Sequence, residues 1–410
     1  MKGFFSVQET QSKTRADGKV YSCSSCGLLK QCQTPLMKPI GKFEKGILIV
    51  LPHPSKINDD YGQYGNDKNI RFLKKELDKL GISLMDDCLI TGALKCYPGD
   101  KSRKSGKALT YEASCCRRFL LKTIDDYQPS LILTFGDLPI FSLLGHRWKK
   151  NLGTMYKWRG WQIPDQDFKA WVCPMLDISF VQNSDNEVGV VFRQDLGTAV
   201  ECLNRKFKRW KKPKIDYLEK DDLSVLDTIN SAQIAIDYET TGIKPHAKGH
   251  RIICASVADT PDHAYVFMMP KSRIDREPFI KLLKNGNIGK LAQNMKFEDH
   301  WTTVRLKTEI QGWDFDSMLA SHLLDNREEI TGLKFQTYVQ FGIVDYSSEI
   351  DPFLKAVDSK NSNAINRIEE LVNTPHGAKK LMEYCAMDTI TQYRLSMQQV
   401  DIMNYSFLPF

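Results

Sequence analysis

The chain has 410 residues, 42% hydrophobic and 26% charged, which describes a soluble globular protein too long for one ordinary core. The net charge of +7 is compatible with nucleic-acid binding but does not require it. No apolar run approaches the roughly 20 residues of a membrane helix, and no signal peptide is evident. We therefore expect a cytoplasmic protein of two domains, with a third possible.

The first half of the chain alternates predicted strands and helices. The strands are KGILIVLP (45–52), DDCLITGALKC with its loop (86–96) and SLILTFGD (130–137). The helices are NIRFLKKELDKLG (69–81), with its apolar residues at helical spacing, and SCCRRFLLKTIDDYQP (114–129), which ends before a proline. This alternation predicts a parallel sheet.

Cysteines cluster around that sheet. Cys23 and Cys26 form a C-x-x-C in a loop before the first strand, Cys96 follows the second strand, and Cys115 and Cys116 open a helix. Disulfides are not expected in a cytoplasmic protein, and thiolates from three places could bind zinc or an iron–sulfur cluster. Spacing does not choose between these metals, and metal-free or oxidised cysteines are the alternative. Five other cysteines are expected in the core: Cys88, Cys173, Cys202, Cys254 and Cys385.

Residues 1–200 resemble the iron–sulfur class of uracil-DNA glycosylases. The matching segments are CSSCGLLKQC, GILIVLPHPSKINDDYGQYG, ITGALKCYPGD, CCRRFLLKTIDDYQPSLILTFGDLPIFSLLG and WVCPMLDISFV. The resemblance implies a glycosylase-like parallel-sheet domain with a 4Fe–4S cluster on Cys23, Cys26, Cys96 and Cys116. Cys116 fits the family pattern better than Cys115, and Cys32 is a nearby spare.

The same resemblance shows where glycosylase chemistry is missing. The family's first catalytic motif falls on Pro52-His53-Pro54, its uracil-reading asparagine on Gly92, and its late histidine motif near Asp177. Base excision needs a polarised water or a stabilised sugar cation, and contacts to the edge of the flipped base. We therefore expect a glycosylase fold without its activity. The alternative is an active glycosylase for an unusual base, with His53 as a displaced catalyst.

A basic segment separates the two halves. NRKFKRWKKPK (204–214) carries seven Lys or Arg residues, with two aromatic residues between them, and HRWKKNLGTMYKWRGW (146–161) is of similar composition. Basic side chains hold phosphates and aromatic faces stack on bases. We expect a linker at 201–222 that contacts nucleic acid, or a solvated linker helix.

Strands come first in the second half, and helices follow. The predicted strands are AQIAIDYE (232–239), RIICASVAD (251–259) and HAYVFMMP (263–270). The predicted helices are EPFIKLLKNG (277–286), FDSMLASHLLD (315–325), NAINRIEELVN (363–373) and a long one over 376–403. We expect an α/β domain with a mixed sheet.

Carboxylates stand at regular spacings in this half. Asp237 and Glu239 share one face of a strand, Glu298 and Asp299 follow an N-x-K-F segment, and Asp388 lies one helical turn after Tyr384. Such carboxylates repel one another unless cations neutralise them. Two Mg²⁺ or Mn²⁺ ions about 3.5–4 Å apart suit oxygen ligands and phosphodiester cleavage.

Residues 223–410 resemble the 3′–5′ proofreading exonuclease domain of family A DNA polymerases, of the DEDD superfamily and its tyrosine subtype. The resemblance implies a ribonuclease-H-like fold. It makes Asp237, Glu239 and Asp388 metal ligands, lets Tyr384 orient the attacking water, and places Thr240 and Asn294 in the pocket of the terminal nucleotide. In ungapped register the middle carboxylate is Glu298, with Asp299 as the fallback.

Together these features predict a two-metal 3′–5′ DNA exonuclease, the proofreading subunit of a bacteriophage replicative polymerase. A separate polymerase subunit is expected to dock on the apolar tail (402–410), on the cluster domain, or on both, unless the tail folds back on its own domain. The alternatives are an inactive exonuclease, a non-catalytic DNA-binding or assembly subunit, and an RNA exonuclease.

Overall fold

A computed structural model of the chain describes residues 21–65, 67–99, 109–148, 151–344, 346–356, 358 and 361–406. The chain divides into two compact units. The first is Met1–Trp210 with Tyr338–Val344, and the second is Lys211–Thr337 with Asp345–Phe410. Each unit contains one sheet with helices, which confirms the predicted α/β class.

The sheet of the first unit has the order β2-β1-β3-β5-β4. Its four main strands are parallel, as predicted, and a short fifth strand pairs antiparallel with β5 at the edge. β1, β2 and β3 are buried along their whole length, which explains their continuous apolar sequences. The strands are β1 (Ile47–Leu51), β2 (Cys88–Gly92), β3 (Leu131–Phe135), β4 (Ile163–Asp165) and β5 (Ala170–Met175).

Eight helices of the first unit lie in the described ranges. They are α1 (Cys23–Cys26), α2 (Lys56–Tyr61), α3 (Lys68–Asp78), α4 (Thr110–Tyr127), α5 (Asp137–Leu144), α6 (Met155–Trp158), α7 (Ile178–Gln182) and α8 (Asn186–Glu201). The side chain of Asp67 caps α3 by accepting from the amide of Ile70 at 2.9 Å. α3 ends at Asp78, so Leu80, expected on its apolar face, is exposed. α4 begins at Thr110, and the two cysteines expected at its start lie inside it.

The second unit has a six-stranded mixed sheet with the order β11-β10-β7-β8-β9-β6. β7, β8 and β9 pair antiparallel, and β6, β10 and β11 add parallel pairings. β6 lies within the segment expected as the linker, 201–222. The strands are β6 (Lys214–Leu218), β7 (Gln233–Thr240), β8 (Ile252–Thr260), β9 (His263–Met268), β10 (Gly289–Ala292) and β11 (Trp313–Asp316).

A long carboxyl-terminal helix packs across β7, β8 and β9. It is α15 (Gly377–Ser406), and the earlier helices are α9 (Glu277–Lys284), α10 (Met295–Trp301), α11 (Ser317–Leu324), α12 (Leu333–Phe341), α13 (Asp351–Leu354) and α14 (Ile368–Val372). α12 was not predicted, and α14 is shorter than the helix expected over 363–373. Among the described residues, no helix has the length and apolarity needed to cross a membrane.

Candidate active site

β7 places two acidic side chains in the middle of the second sheet. Its first half is an apolar run that is fully buried between β8 and β10. Asp237 pairs with Ser256 of β8, and Glu239 pairs with Cys254. Because side chains alternate along a strand, the two carboxylates point to the same face of the sheet. Asp237 is half-buried, and Glu239 is buried.

A third carboxylate comes from α10. Asn294, with φ of 72°, turns the chain from β10 into this helix, and the Asp316 carboxylate holds the turn by accepting from the amides of Asn294 and Met295 at 3.0 and 2.9 Å. Glu298 is only 2% exposed, and within the described residues its Oε2 has no hydrogen-bond partner. Asp299 instead accepts from the indole nitrogen of Trp313 at 3.2 Å. Of these two residues, Glu298 is therefore the one with a carboxylate oxygen that still lacks a hydrogen-bond donor.

α15 brings Tyr384 and Asp388 to the same site, both of them buried. Oδ1 of Asp388 accepts from the hydroxyl of Tyr346 at 2.5 Å and from the ammonium of Lys334. That ammonium lies 3.8 Å from the ring centroid of Tyr346 and 4.1 Å from that of Tyr384, which is cation–π geometry. The cysteine after Tyr384, Cys385, lies with its Sγ 3.5 Å from Oδ2 of Asp237.

Sequence reasoning missed Lys334, Tyr346 and Cys385. Lys334 is the second residue of the unpredicted helix α12, and Tyr346 lies in a loop. Neither belongs to a periodic pattern, so no sequence signal points to them. Cys385 was expected in the core, and it is indeed fully buried.

The site has more negative charge than its protein neighbours neutralise. Burial, together with the charge of Asp388, raises the pKa of Asp237 to about 7. Burial, together with the charge of Asp237, raises the pKa of Glu239 and of Glu298 well above the usual range. Burial lowers the pKa of Lys334, and the charge of Asp388 opposes this shift. The raised pKa values of these three carboxyls indicate that their charged forms are disfavoured without an added cation.

The donor set fits divalent cations. Ligand atoms of Asp237, Glu239 and Cys385 all lie within 4.8 Å of one another. The unpartnered oxygen of Glu298 adds a further donor. Carboxylate oxygens are the ligands of Mg²⁺ and Mn²⁺. A cation bound by Asp388 would share that carboxylate with Lys334 and Tyr346.

The two residues expected at the nucleotide pocket lie at the edges of this site. The hydroxyl of Thr240 donates to the carbonyl of Gly242 at 2.7 Å, and its own carbonyl accepts from the amide side chain of Asn366 at 2.9 Å. Asn294 is half-buried, at the turn into α10. Both positions are fixed by local hydrogen bonds.

The cysteines of the first unit converge from α1, the loop after β2, and α4. Cys96 and Cys116 are buried in an apolar cluster against which Cys26 and Cys32 pack. Burial raises the pKa of Cys116 to about 12, and the charges of Cys26, Cys96 and Cys23 add to this shift. Burial likewise raises the pKa of Cys96 to about 11, with contributions from Cys32 and Cys23. The four thiols that the resemblance implies are therefore neighbours.

The spacing of these thiols bears on the choice of metal. A tetrahedral zinc with bonds of about 2.3 Å holds its sulfur ligands roughly 3.8 Å apart. In the described ranges, no three cysteine sulfurs lie within 4.8 Å of one another. An iron–sulfur cluster places iron and sulfide between its thiolates and so holds them farther apart.

The residues at the positions of the glycosylase motifs make other contacts in this structure. A Cβ at Gly92 would come within 2.7 Å of the hydroxyl of Tyr64, whose ring is buried. Asp177 caps α7 by accepting from the amides of Ser179 and Phe180 at 2.8 and 3.1 Å. Nδ1 of His53 lies 2.9 Å from the neighbouring carbonyl of Pro54.

One family model matches within the second half of the chain. Residues 218–398 match the family model described as 3′–5′ exonuclease. No curated protein matches the chain. The match supports a 3′–5′ exonuclease domain of the DEDD type, as the sequence predicted.

Solved structures similar to this chain include three nucleases. NrnC of Brucella melitensis is 22% identical, with 47% of this chain and 83% of that chain covered and a TM-score of 0.35. The catalytic core of RRP6 from Trypanosoma brucei is 14% identical, with 47% and 48% covered and a TM-score of 0.35. Escherichia coli RNase D is 14% identical, with 47% of each chain covered and a TM-score of 0.35.

Proposed function

We propose that residues 223–410 are a 3′–5′ exonuclease that depends on two divalent cations and removes nucleotides from DNA ends. The observation that carries the proposal is the cluster of Asp237, Glu239 and Glu298, with their raised pKa values, opposite Asp388. Burial of carboxylates without full neutralisation is costly, and divalent cations offset that cost.

In this proposal Asp237, Glu239, Glu298 and Asp388 hold Mg²⁺ or Mn²⁺. When bound, such ions neutralise charge on a phosphodiester and lower the pKa of a water molecule. Tyr384 orients that water through its hydroxyl. Burial, together with the charges of Asp388 and Glu239, raises the pKa of Tyr384 well above its usual range, so the hydroxyl keeps its proton at neutral pH.

Lys334 and Tyr346 act as positioning residues. Both donate to the same carboxylate oxygen of Asp388, so they fix the orientation of that side chain on α15. Two donors on Oδ1 direct the other oxygen, Oδ2, towards a cation. Lys334 also contributes a positive charge to the cluster of carboxylates.

The first unit has a supporting role in this proposal. We assign residues 1–200 to a glycosylase-like domain with a 4Fe–4S cluster, 201–222 to a basic linker, and 223–410 to the exonuclease. The convergence of Cys23, Cys26, Cys96 and Cys116 supports the cluster. The domain then binds DNA or a partner without excising bases.

Nuclease assays on the purified full chain test the proposal. Single-stranded DNA and RNA of the same sequence, labelled at the 5′ end, are digested with Mg²⁺ or with EDTA. We expect stepwise shortening of DNA from the 3′ end only with Mg²⁺. Asp237→Ala and Asp388→Ala should each slow it by more than about 100-fold, because loss of even an outer partner of a metal site costs 10–100-fold.

Asp401→Ala is the matched control, since Asp401 lies on the same helix as Asp388 and is exposed. Preferential digestion of RNA would overturn the assignment to DNA. Absence of metal-dependent hydrolysis on both substrates would overturn the exonuclease proposal and leave a nucleic-acid-binding or assembly subunit.

We further propose that this exonuclease proofreads for a separate polymerase subunit of a replisome. The support is the resemblance of residues 223–410 to proofreading domains, and the role requires tethering, which raises the local concentration of the 3′ end. Of the apolar tail, residues 407–410 lie outside the described residues. Pull-downs from the native host with the full chain and with a chain cut after Val400 test the partner, and failure of both to retain a polymerase would overturn it.

A further inference from the structure

A cavity of about 390 Å³ lies in the second unit, outside the carboxylate cluster. The first residues of β8, the end of β9, the π-helical turn after α10, and α14 form its walls. Ile252 in its wall pairs with Thr240 at the end of β7. The cavity therefore lies at the same end of the sheet as the candidate active site.

The walls of the cavity are strongly basic. Arg251, Lys271, Arg276 and Arg305 line it, against the single acidic residue Glu369. Glu369 is already paired with Arg251, at 2.9 Å. The remaining three cations have no acidic partner among the residues that line the cavity, so the cavity attracts an anion.

The hydrogen bonds of two arginines leave donors for that anion. Within the described residues, Arg276 donates to two main-chain carbonyls, those of Ser272 and Lys271 at 3.2 and 3.3 Å. Arg305 donates through Nη2 to the carbonyl of Ala247 at 2.8 Å, while its Nε is buried and lacks an acceptor in the described part of the chain. Guanidinium N–H groups without a carboxylate partner form strong, charge-assisted hydrogen bonds to a phosphate.

The floor of the cavity is apolar. Ile252, Ile253 and Leu306 are buried beneath it, and Met268 and Met269 are half-buried at its side. Methionine thioethers make favourable contacts with planar rings. An apolar floor below a basic rim fits a ligand with a planar body and an anionic head, and the volume lies within the usual range of roughly 300–1,000 Å³ for small-molecule sites.

We propose that this cavity is a second nucleotide-binding site. It takes a nucleoside 5′-monophosphate unit, with the phosphate on Arg276, Arg305 and Lys271 and the base against Met268 and Met269. The unit is either the free nucleotide released by the nuclease or one residue of the bound strand. Binding itself does not depend on the proposed nuclease activity.

Calorimetric titration of the full chain in EDTA tests the site. The probes are deoxyadenosine 5′-monophosphate, deoxyadenosine and inorganic phosphate. We expect the nucleotide to bind with a Kd below about 1 mM, and each fragment to bind at least tenfold more weakly. Equal binding of inorganic phosphate would reduce the cavity to an anion site and overturn the proposal, as would no binding.

Variants locate the bound nucleotide. Lys271→Glu, at an exposed position, and Arg276→Gln should each weaken nucleotide binding at least tenfold. Arg273→Gln is the matched control, because Arg273 is an exposed arginine of the same segment outside the cavity walls, and its affinity should stay within twofold. Equal affinity of Lys271→Glu and the parent protein would overturn the assignment.

Kinetics separate the two sources of the nucleotide. If the strand occupies the cavity, Lys271→Glu raises the KM for a 15-nucleotide substrate but not for a dinucleotide. If the free product occupies it, Lys271→Glu relieves inhibition by added nucleotide. Unchanged KM and unchanged inhibition would overturn both sources. A protein without nuclease activity would fail only this kinetic test, because the binding titration needs no activity. The nuclease proposal and the nucleotide-site proposal can therefore be overturned separately.

Discussion

Lys334 is the one cation that the described residues place on the carboxylates of the candidate active site. It donates to Asp388, and the rings of Tyr346 and Tyr384 lie within cation–π distance on either side. Its charge also interacts with Glu239 and Asp237. In the absence of divalent ions this ammonium is the counter-ion of the cluster.

Lys334→Met should therefore destabilise the protein more in the absence of divalent ions than in their presence. Removal of one partner of a buried ion pair costs about 3–5 kcal/mol of the free energy of unfolding. Chemical denaturation in EDTA and in Mg²⁺ measures the difference, and we expect Mg²⁺ to recover much of the loss. Lys380→Met, which breaks an exposed pair with Glu349, is the control and should cost less than about 1 kcal/mol. Equal losses of the free energy of unfolding with and without Mg²⁺ would contradict the role of Lys334 as the counter-ion of the carboxylates.

The raised pKa of Asp237 predicts how stability depends on pH. This carboxyl titrates near 3.8 when exposed and near 7 in the metal-free fold. Between these values the folded state binds a proton that the unfolded state has lost, so stability falls as the pH rises through this window. Thermal melts in EDTA should show this fall, and Asp237→Asn should make it shallower, while Glu239 and Glu298, whose pKa values are also raised, keep part of it. A melting temperature that rises with pH in EDTA would contradict the prediction.

Glu298 and Asp299 should differ in their importance for activity. Glu298 is buried with an oxygen that has no partner in the described structure, whereas Asp299 is held by Trp313. Initial rates on labelled DNA should fall by more than about 100-fold in Glu298→Gln and by less than about tenfold in Asp299→Asn. Tyr384→Phe should lie between these values, since it loses only a hydroxyl. A larger loss in Asp299→Asn would show that the other register is correct.

At the level of elements, apolar runs and their spacing predicted β1, β2 and β3 of the first sheet and β7, β8 and β9 of the second, but not the interior strands β5 and β10. β6 was not predicted because Lys214–Leu218 is an edge strand with exposed and half-buried residues, and charged side chains are common on such edges. β4 was not predicted because it has three residues, one of them a proline. The strands with long apolar runs were thus predicted, whereas the short edge strands, the buried strand β5 and the 16-residue helix α8 were missed.

The same distinction applies to the site. Asp237 and Glu239 follow from the two-residue period of a strand, and Tyr384 and Asp388 from the spacing of a helix. Lys334 and Tyr346 meet Asp388 only through tertiary packing, over separations of 54 and 42 residues. No local pattern predicts contacts of that range.

The elements that bring the cysteines together should depend on the cluster. We expect anaerobically purified protein to be brown, with about four iron atoms per chain. Cys96→Ser should lose iron and lower the melting temperature of the first unit, because the energy of metal binding is also folding energy. Cys88→Ser, a buried thiol of β2 outside the apolar cluster of Cys96 and Cys116, should keep its iron. Colourless protein with one zinc would contradict the assignment.

At the scale of the whole molecule, the two units differ in whether they contain a cluster of side chains typical of a catalytic site. The second unit combines buried carboxylates with raised pKa values, a feature typical of catalytic sites. In the first unit, the positions that match glycosylase motifs have no such arrangement among the described residues. Tyr64 occupies the space beside Gly92, and Asp177 is engaged in capping a helix. On the proposed assignment, one chain combines an exonuclease site with a glycosylase-like domain that has lost its own chemistry.

This contrast predicts that the full chain releases no uracil from DNA. Pro52 and Gly92 offer no side chain that could polarise a water molecule or read the base edge, and a larger residue at Gly92 would clash with the hydroxyl of Tyr64. The assay uses the Asp237→Ala variant, so that nuclease activity does not destroy the substrate. Uracil-containing single-stranded and duplex DNA is incubated with the variant, and alkali then cleaves at any abasic sites. We expect no more cleavage than with a variant that also has Cys96→Ser. Cleavage well above that background would show that the first unit has an active site that its sequence does not reveal, with His53 as the first residue to replace.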